Sequence, residues 1–435
     1  MQPAQLLRTL FDAAVARAQP DTALPPCLPT PPDPGKGRTV VIGAGKASAA
    51  MARALQAHWP VDAPLSGVVV TRYGHIPPAA PGAAPDRITL LESAHPVPDA
   101  AGQQATAQLL AALRGLASHD LVIALMSGGG SALLAAPLDG WSLAGEQALN
   151  RQLLASGAPI GAMNTVRRHL SALKGGRLAQ HARPARLVTL ALSDVPGDRF
   201  EDIASGPTVP DPTTCADALA VIERYRLDLP PVLLARLRSG ELETPKPGDP
   251  RFAHDSARLI ATPQDMLQAA AACAHQHGLT AHVLSDRLEG EAHELGATLA
   301  HLALQVARGE HPLYRAPCVL LSGGESTVTL GPSATPAGRG GRNRELALSA
   351  ALALQGAPRI WLLAADTDGI DGTPDAAGAL VAPDTLARTQ ALGLDAAALL
   401  RQHASGDCFA ALGDDLVTGP TLTNVNDFRA VLITA

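Results

Sequence analysis

The stretch VVIGAGKASAAMA, residues 40–52, joins a short apolar run to an alanine-rich segment through a glycine turn. This order predicts a β-strand, a tight turn and an α-helix. The same order recurs in LVIALMSGGGSALL at 121–134, and further apolar runs lie in LSGVVVTRYG, RITLLESAHP and RLVTLALSDVPGD. Because short β-branched runs alternate with helical segments, we predict a Rossmann-like α/β domain whose parallel sheet is covered on both faces.

The glycine turn matches neither of the phosphate-binding motifs that it suggests. A dinucleotide fingerprint G-x-G-x-x-G starting at Gly43 would need a third glycine where Ser48 stands, and a P-loop would need Ser or Thr where Ala47 follows Lys46. A lysine at a helix start is disfavoured by up to about 1 kcal/mol. Two interpretations stay open: a solvated lysine, or an anion held by the ammonium and the helix amides together.

The second half of the chain predicts another α/β domain. A polar, proline-rich stretch within residues 226–251 indicates a boundary, so we predict domains at 1–240 and 250–435, leaving open whether the last residues pack back on the first domain. STVTL at 326–330 follows the apolar run VLLSGG so closely that an adjacent strand is expected. The C-terminal domain is therefore predicted to be smaller, with a mixed sheet.

Composition excludes several classes of protein. The 435 residues are 46% hydrophobic and 17% charged, which is typical of a globular chain. A net charge of −6 and only 3% aromatic residues argue against nucleic-acid and anionic-membrane partners. No apolar run approaches the roughly 20 residues of a membrane span, and five cysteines without a C-x-x-C pair fit a reducing cytoplasm. We expect a soluble cytoplasmic protein that acts on small molecules, with homo-oligomerisation left open.

Candidate binding residues follow the predicted strands, where open α/β sheets bind ligands. The turns after the first and fourth predicted strands contribute Gly43, Gly45, Ser127, Gly128, Gly129, Gly130 and Ser131. Three consecutive glycines leave backbone amides bare for an anion, although a tight turn alone would also use them. A basic cluster supplies Lys174, either for a phosphorylated or carboxylated ligand or as part of a solvated helix face.

Acidic residues and one arginine mark the second half. Glu325 lies in a glycine turn, and Arg342 and Asn343 lie at a predicted helix start, where the guanidinium suits carboxylate or phosphate oxygens. Asp366, Asp368 and Asp371 would repel one another unless a metal, a basic partner or water relieves them. The chain has no H-E-x-x-H and no G-x-S-x-G motif, so zinc-protease and hydrolase functions lack support.

Eight motifs in order give the chain a resemblance to the class II glycerate 2-kinases, which combine a DUF4147-type domain with a MOFRL domain. The motifs are GAGKAS, SGGGSALL, SDVPGD, ASGPT, SGGE, GGRNRE, TDGIDG and TNVND. The resemblance implies ATP-dependent phosphorylation of D-glycerate to 2-phosphoglycerate, with Mg²⁺ or another divalent cation, in a cleft between a Rossmann-like domain and a smaller α/β domain. Members are often labelled hydroxypyruvate reductase.

The resemblance also implies which residues act. Six catalytic positions are carried over by motif: Lys46, Asp194, Glu325, Arg342, Asp368 and Asn424. Lys46 and Arg342 are expected to stabilise the transferring phosphoryl group, and the three carboxylates Asp194, Glu325 and Asp368 are the candidate metal ligands, one of which could instead be the base. Substrate or nucleotide contacts are expected from the glycine turns and from Lys174, Gly323, Gly324, Asn343 and Asn426.

The sequence departs from the family pattern at two places, and two other functions are considered beside the kinase. The segment GPSATPAG at 331–338 reads as an insertion, and Arg344 stands where a glutamine is usual in the family. A nicotinamide-dependent hydroxypyruvate reductase is favoured by the Rossmann-like first unit and disfavoured by the missing third glycine. A non-catalytic phosphosugar-binding module would also suit glycine-serine loops, but would not need Lys46, Arg342 and so many acids.

Overall fold

The computed structural model describes residues 1–33, 35–79, 85–330, 338–373 and 376–435. By its internal contacts the chain divides into an N-terminal unit, residues 20–194 and 198–260, and a C-terminal unit, residues 1–19, 195–197 and 261–435. This division differs from the predicted limits chiefly because the first 19 residues pack with the C-terminal unit. The predicted insertion lies, except for Gly338, outside the described residues.

The N-terminal unit is built on a six-stranded sheet. Its strands are β1 (Thr39–Ala44), β2 (Leu65–Arg72), β3 (Ile88–Ser93), β4 (Leu121–Met126), β5 (Arg186–Leu192) and β6 (Ser256–Ala261). Their order is β3-β2-β1-β4-β5-β6, and the pairings from β3 to β5 are parallel. This is the strand order of Rossmann folds, in which the direction of winding changes between β1 and β4. The predicted fold class is confirmed.

Helices cover this sheet and form the rest of the unit. They are α2 (Pro20–Ala23), α3 (Ser48–His58), α4 (Ala100–Ala112), α5 (Gly130–Leu133), α6 (Leu143–Ala155), α7 (Ile160–His169), α8 (Arg177–His181), α9 (Cys215–Arg224) and α10 (Pro231–Arg238). β1 and β4 are buried along their whole length, as expected of strands with both faces covered. Helices α7, α9 and α10 share a separate apolar cluster that includes Val166, Ile222 and Leu233.

The C-terminal unit contains a mixed sheet, as predicted. Its strands are β7 (Thr280–Ser285), β9 (Cys318–Gly324), β11 (Ile360–Asp366), β12 (Gly378–Val381), β13 (Asp415–Leu416) and β14 (Asp427–Ile433), in the order β13-β12-β11-β14-β9-β7. β7 and β9 are parallel, whereas β14 runs antiparallel to both β9 and β11. The mixed character therefore comes from β14. STVTL supplies only β10 (Ser326–Thr327), which pairs with β8 (Gly290–Glu291) in a sheet of its own.

Helices of the C-terminal unit are α1 (Pro3–Ala18), α11 (Pro263–Gln276), α12 (Ala292–Ala307), α13 (Arg342–Leu354), α14 (Thr385–Ala391), α15 (Ala396–Arg401) and α16 (Ser405–Leu412). The apolar face of α1, with Leu7, Leu10 and Phe11, is buried, and Phe11 packs edge-to-face on Phe428 of β14 at 5.8 Å. Aromatic pairs of this geometry add about 0.5–1.5 kcal/mol beyond burial. This packing explains why the first helix belongs to the C-terminal unit.

None of the helices in the described ranges combines the length and the apolar character that a membrane crossing requires.

Candidate functional site

The loops after β1 and β4 meet at the point where the Rossmann sheet reverses. The two strands are paired in register from Thr39 opposite Leu121 to Ala44 opposite Met126, so the loops that follow them are neighbours. Gly45 adopts a φ of +148°, and a Cβ there would lie 2.1 Å from the Ser127 Oγ. Only glycine fits at this position, which explains the turn.

The amides of the GAGK turn are engaged within the protein. The Gly45 amide donates to the Val70 carbonyl, and the Lys46 amide donates to the Gly128 carbonyl at 2.8 Å. The Ala47 amide donates to the Ser127 Oγ at 3.0 Å, and the Ser48 amide donates back to the Gly45 carbonyl. These amides are therefore not available to an anion.

Several predicted ligand residues of these loops have structural partners. Ser127 is fully buried and caps the start of α3 through the Ala47 amide. Gly43 faces β4, where a Cβ would lie 2.5 Å from the Leu125 carbonyl oxygen. Ser127 and Gly43 thus shape the turn by packing and capping, and the geometry gives neither a surface for ligand contact.

The loop after β4 retains open donors. Within the described residues, the amides of Gly128 and Gly129 donate to no protein acceptor. A Cβ on Gly129, whose φ is +81°, would lie 3.2 Å from the His95 Nε2 and 3.3 Å from the Lys46 Cγ. Two adjacent amides, a lysine and an imidazole therefore surround one position, as anion-binding loops do. Sequence reasoning missed His95, although it follows β3 at the same edge of the sheet.

The ASGPT motif packs directly on the glycine loop. A Cβ on Gly130 would lie 2.6 Å from the Ala204 Cβ, and the hydroxyls of Ser131 and Ser205 are 2.7 Å apart. Ser205 donates in turn to the Asn164 Oδ1 at 3.0 Å. Ala204 and Ser205 both have φ above +50°, a conformation that costs about 1–3 kcal/mol per residue and concentrates at functional sites. Ser205 and Asn164 were not among the predicted residues.

The predicted basic cluster is structural. Lys174 is 2% exposed, and its ammonium donates to the Glu146 carboxylate at 3.2 Å and to the Leu134 carbonyl at 3.0 Å. Arg168 is similarly buried between Asp202 and Asp211. Removing Lys174 would leave the buried Glu146 carboxylate without the cation that donates a hydrogen bond to it. The geometry therefore assigns Lys174 to the packing of α6 rather than to a ligand.

In the C-terminal unit, strand register places the carboxylates of three strands at one edge of the sheet. Asp427 at the start of β14 lies opposite Gly324 at the end of β9 and opposite Asp366 at the end of β11. Glu325 follows β9 directly. Because β14 is antiparallel to both neighbours, its first residue meets their last residues.

Arg342, the first residue of α13, binds three of these carboxylates. Its Nη1 donates to Glu325 at 2.8 Å, its Nη2 to Asp366 at 2.7 Å and its Nε to Asp427 at 2.9 Å. Burial disfavours the charged guanidinium, but the carboxylates outweigh it and raise the pKa of Arg342 well above its ordinary value. A guanidinium has five N–H donors, so two remain for a further acceptor.

Asp427 lies at the centre of this network. Burial opposes its ionisation, yet Arg342 and Arg429 hold the pKa of Asp427 below its ordinary value. The Arg429 Nη2 donates to Asp427 at 2.7 Å, and Asn343 donates its side-chain amide to the same carboxylate at 2.8 Å. Asn343 is fully buried. It therefore orients Asp427 and has no exposed surface for a ligand.

Asp371 of the TDGIDG loop caps α13. Its two carboxylate oxygens accept the amides of Asn343 and Arg344, each at 2.9 Å. Arg344 also donates its Nε to Asp371 at 3.3 Å and its Nη2 to Thr373 at 2.7 Å. Both charged side chains of this pair are 0% exposed. Burial raises the pKa of Asp371 above its ordinary value despite these donors. The pair fixes the helix start from which Arg342 projects.

The remaining predicted residues of this unit are buried beside the network. The Asp368 Oδ1 accepts the Ile370 amide at 2.8 Å, and Asn426 accepts the Asp427 amide at 3.0 Å. Asn424 accepts the Asn426 amide at 3.3 Å. These side chains order the loops before and after the sheet edge.

Gly323 and Gly324 act as spacers. A Cβ on Gly324, whose φ is +121°, would lie 2.3 Å from backbone atoms of Leu288, and a Cβ on Gly323 would lie 3.2 Å from the Met266 side chain. Their role in the structure is close packing against these two neighbours.

The three predicted metal ligands lie in different surroundings. Glu325 forms an ion pair with Arg342, whereas Asp194 is half-buried at the carboxyl end of β5 and Asp368 is buried after β11. Among the described residues, no trio of ligand atoms within 4.8 Å of one another includes Asp194, Glu325 or Asp368. All three are hard oxygen donors of the kind that Mg²⁺ prefers, and the Glu325 carboxylate lies 2.8 Å from the Arg342 guanidinium.

Comparisons with known proteins agree with the fold and the motifs. A family model described as a domain of unknown function, DUF4147, matches residues 6–238, and the MOFRL family model matches residues 318–427. A protein of Agrobacterium vitis, provisionally named hydroxypyruvate reductase, is 56% identical over 429 residues, which cover 99% of this chain and 94% of that protein.

Two further comparisons concern Thermotoga maritima. Its D-glycerate 2-kinase is 40% identical over 397 residues, 91% of each chain. The crystal structure of glycerate kinase from the same organism superposes with a TM-score of 0.83 at 37% identity, over 99% of each chain. The chain therefore belongs to the class II glycerate 2-kinase family, in which a DUF4147 domain precedes a MOFRL domain.

Proposed function

We propose that this protein is a glycerate 2-kinase that transfers the γ-phosphoryl group of ATP to the C2 hydroxyl of D-glycerate. The observation that carries the proposal is the edge of the Rossmann sheet, where Lys46 and His95 flank the open amides of Gly128 and Gly129. Phosphoryl transfer needs positioned cations and donors more than covalent catalysis, because charge develops on phosphoryl oxygens. At this edge, Lys46 would provide the cation and the amides of Gly128 and Gly129 would provide the donors.

In the proposed reaction the bond between the γ-phosphorus and the bridging oxygen of ATP breaks, and a bond from the C2 oxygen of glycerate to that phosphorus forms. The hydroxyl proton passes to a carboxylate, and ADP leaves with the bridging oxygen. Lys46 and Arg342 stabilise the phosphoryl oxygens, with the two remaining N–H groups of Arg342 as donors.

A divalent cation would complete the charge balance. Asp194 and Asp368 would hold it, and the ion would neutralise phosphate charge during transfer. Glu325 is assigned instead to Arg342, because its carboxylate lies 2.8 Å from the guanidinium. With 43% of its side chain exposed, Glu325 is also the carboxylate that can most readily move away when an anion approaches Arg342.

Hydroxypyruvate reduction is the second candidate, favoured by the Rossmann strand order and by the name of the 56% identical relative. A dinucleotide would need the amides at the start of α3 for its pyrophosphate. Those amides donate to Val70, Gly128 and Ser127 instead. Ser48, in place of the third glycine, is buried and donates to the Leu125 carbonyl. The kinase is therefore the stronger proposal.

The cytoplasm is the compartment we infer, because all five cysteines are unbridged. D-glycerate, ATP and Mg²⁺ are the proposed small-molecule partners.

Two parallel assays with the purified protein test the proposal. One supplies D-glycerate, ATP and Mg²⁺ and measures 2-phosphoglycerate and ADP, and the other supplies hydroxypyruvate with NADH or NADPH. We expect product only in the first. Oxidation of the nicotinamide cofactor without ADP formation would overturn the kinase proposal. No product in either assay, together with tight binding of a sugar phosphate, would indicate a binding module.

Matched variants then test the two cations. Lys46→Ala and Arg342→Ala are expected to lower kcat by at least about 100-fold, the scale of losing one transition-state donor, with a smaller effect on ATP binding. Lys36→Ala and Arg401→Ala are the controls, because Lys36 is 75% exposed and Arg401 is exposed on α15. Turnover within threefold of wild type in Lys46→Ala would refute the role of that lysine.

A further inference from the structure

Three side chains with different metal-ligating atoms converge in the helical part of the N-terminal unit. His169 ends α7, Cys215 begins α9 and Glu243 lies in the loop after α10. Their ligand atoms all lie within 4.8 Å of one another, and the His169 Nε2 is 3.2 Å from the Glu243 Oε1. His169 and Cys215 are buried, whereas Glu243 is 37% exposed and lines a surface cavity of about 550 Å³. Solvent and ions can reach the Glu243 carboxylate from that side.

The His169 ring is oriented so that its Nε2 and the Glu243 carboxylate can share a proton or a cation. Its Nδ1 lies 2.9 Å from the Thr165 carbonyl oxygen, which can only accept, so Nδ1 carries a hydrogen. In neutral imidazole the Nε2 lone pair then points at the Glu243 carboxylate. Two acceptors at 3.2 Å repel unless a proton or a cation lies between them. The backbone amide of Cys215 donates to the other oxygen of the same carboxylate at 3.1 Å, which holds the two residues together.

We propose that His169 Nε2, Cys215 Sγ and a Glu243 oxygen bind a divalent cation of the Zn²⁺ type, replacing the protons that otherwise lie between these atoms. One nitrogen, one sulfur and one oxygen ligand suit zinc, with a water from the cavity in the fourth position. Two ligands at about 2.0–2.1 Å on a tetrahedral ion lie roughly 3.3 Å apart, close to the observed nitrogen–oxygen distance. Mg²⁺ prefers oxygen ligands only, so this site differs in kind from the proposed nucleotide-metal site.

Lys246 is the competing cation. Its ammonium contacts Glu243 and donates to the Thr244 hydroxyl at 2.7 Å. Since its side chain is 35% exposed, the ammonium can turn into solvent when a metal ion takes the carboxylate. The structure thus assigns Lys246 the role of lowering the affinity of the site, and its removal should strengthen metal binding.

Cobalt is the probe, because thiolate ligation to Co²⁺ gives a charge-transfer absorption that oxygen ligands do not give. The full chain, stripped with a chelator, is titrated with Co²⁺ and then with Zn²⁺. We expect one equivalent of Co²⁺ with the thiolate band, displaced by Zn²⁺. Cys215→Ser, close in size to the native residue, should abolish the band, whereas Cys273→Ser on α11 should retain it. No band in the wild-type chain, or a band that persists in Cys215→Ser, would overturn the proposal.

A gain-of-affinity variant guards against misfolding as the cause of a lost band. Lys246→Gln removes the competing ammonium at a partly exposed position, and we expect Co²⁺ to bind about 2–5-fold more tightly, the scale of an exposed ion pair. Unchanged or weaker Co²⁺ affinity in Lys246→Gln would overturn the proposal that metal and ammonium share Glu243. Thermal unfolding with and without Zn²⁺ provides the second readout, since a bound ion should raise the Tm of wild type but not of Cys215→Ser.

Discussion

The buried pair of Arg344 and Asp371 should control the stability of the C-terminal unit. Arg344→Gln removes the cation but keeps the backbone. The Asp371 carboxylate therefore stays buried and still accepts the backbone amides of residues 343 and 344, each at 2.9 Å. Breaking a buried ion pair costs about 3–5 kcal/mol. The two amides and the start of α13 retain part of the stabilisation of the carboxylate, so we expect a loss of about 3 kcal/mol in the free energy of unfolding.

Asp371→Asn is expected to cost a similar amount for the opposite reason. Arg344 would keep the Thr373 hydroxyl and the Gly340 carbonyl as neutral acceptors and the Asp415 carboxylate at 3.8 Å, but it would lose the carboxylate nearest to it. The double variant Arg344→Gln/Asp371→Asn removes both charges of the buried pair. It should therefore lose at least about 1 kcal/mol less than the sum of the single losses.

The pH dependence of Arg344→Gln follows from the direction of the Asp371 pKa. Burial raises this pKa above 3.8 in the folded protein, so the folded state binds a proton more readily than the unfolded state does. Stability from this carboxylate is therefore highest at low pH and falls as pH rises above about 3.8. Removing Arg344 raises the pKa further, so the deficit should be larger at pH 8 than at pH 5.

Tryptophan fluorescence can report this unit alone. Trp361 lies on β11, whereas Trp59 and Trp141 belong to the N-terminal unit. Urea unfolding of each variant in a Trp59→Phe/Trp141→Phe background isolates the Trp361 signal and avoids averaging two units. Single losses below about 1 kcal/mol, or a double variant equal to the sum of the singles, would refute the reasoning about the pair.

Three further predictions follow from other contacts. Gly45→Ala, which would place a Cβ 2.1 Å from the Ser127 Oγ, should destabilise the N-terminal unit by at least about 2 kcal/mol in urea unfolding. The control is Gly161→Ala on α7, where an added Cβ would have no atom within 4 Å and should be neutral or stabilising by up to about 1 kcal/mol. Equal losses in the two variants would contradict this account. Glu325→Gln should tighten ATP binding by about fivefold or less in calorimetric titration, since it removes a partly exposed carboxylate from Arg342; weaker binding would speak against the displacement of Glu325 by an anion. Burial opposes ionisation of Asp99, but hydrogen bonds from the Gly102 amide and the Tyr73 hydroxyl outweigh burial and lower the pKa of Asp99 below 3.8. The stabilisation that ionised Asp99 provides is therefore present above that pH and lost on acidification. Asp99→Asn keeps the helix cap and should make stability less dependent on pH below about pH 4, whereas an unchanged loss of stability in acid would exclude Asp99 as a contributor.

The sheet of the N-terminal unit could be predicted because its strands are short apolar runs separated by helical segments. Each of the five quoted runs became a strand, and the parallel order followed from the alternation. The mixed C-terminal sheet was predicted from STVTL, whereas its actual cause is β14, whose pairing with β9 and β11 joins segments about 100 and 70 residues apart. Pairing over such separations leaves no local pattern in the sequence.

The candidate site was predictable at the level of strand ends and less so at the level of side chains. Lys46 was singled out because a cation at a helix start is unfavourable, Arg342 because its guanidinium suits carboxylate or phosphate oxygens, and their catalytic roles came from the family resemblance. Ser127 and Lys174 looked equally exposed in the sequence, but their partners, the Ala47 amide and Glu146, lie 80 and 28 residues away. His95 follows β3, which β2 and β1 separate from β4 in the sheet, so the strand pattern alone does not predict its position beside Gly129.

The turn after β1 shows how a glycine-rich loop can look like a phosphate cradle and lack its chemistry. A cradle needs amides with no protein acceptor. Here the loop after β4 accepts the amides of Lys46 and Ala47, and the Val70 carbonyl of β2 accepts the amide of Gly45. In the loop after β4, the amides of Gly128 and Gly129 donate to no acceptor among the described residues. In the proposed kinase, anion recognition at this edge would be divided between two loops: the first would supply the ammonium of Lys46, and the second would supply the backbone donors. A substitution in either loop should then affect the contribution of the other, because the Lys46 amide and the Gly128 carbonyl hold them together at 2.8 Å.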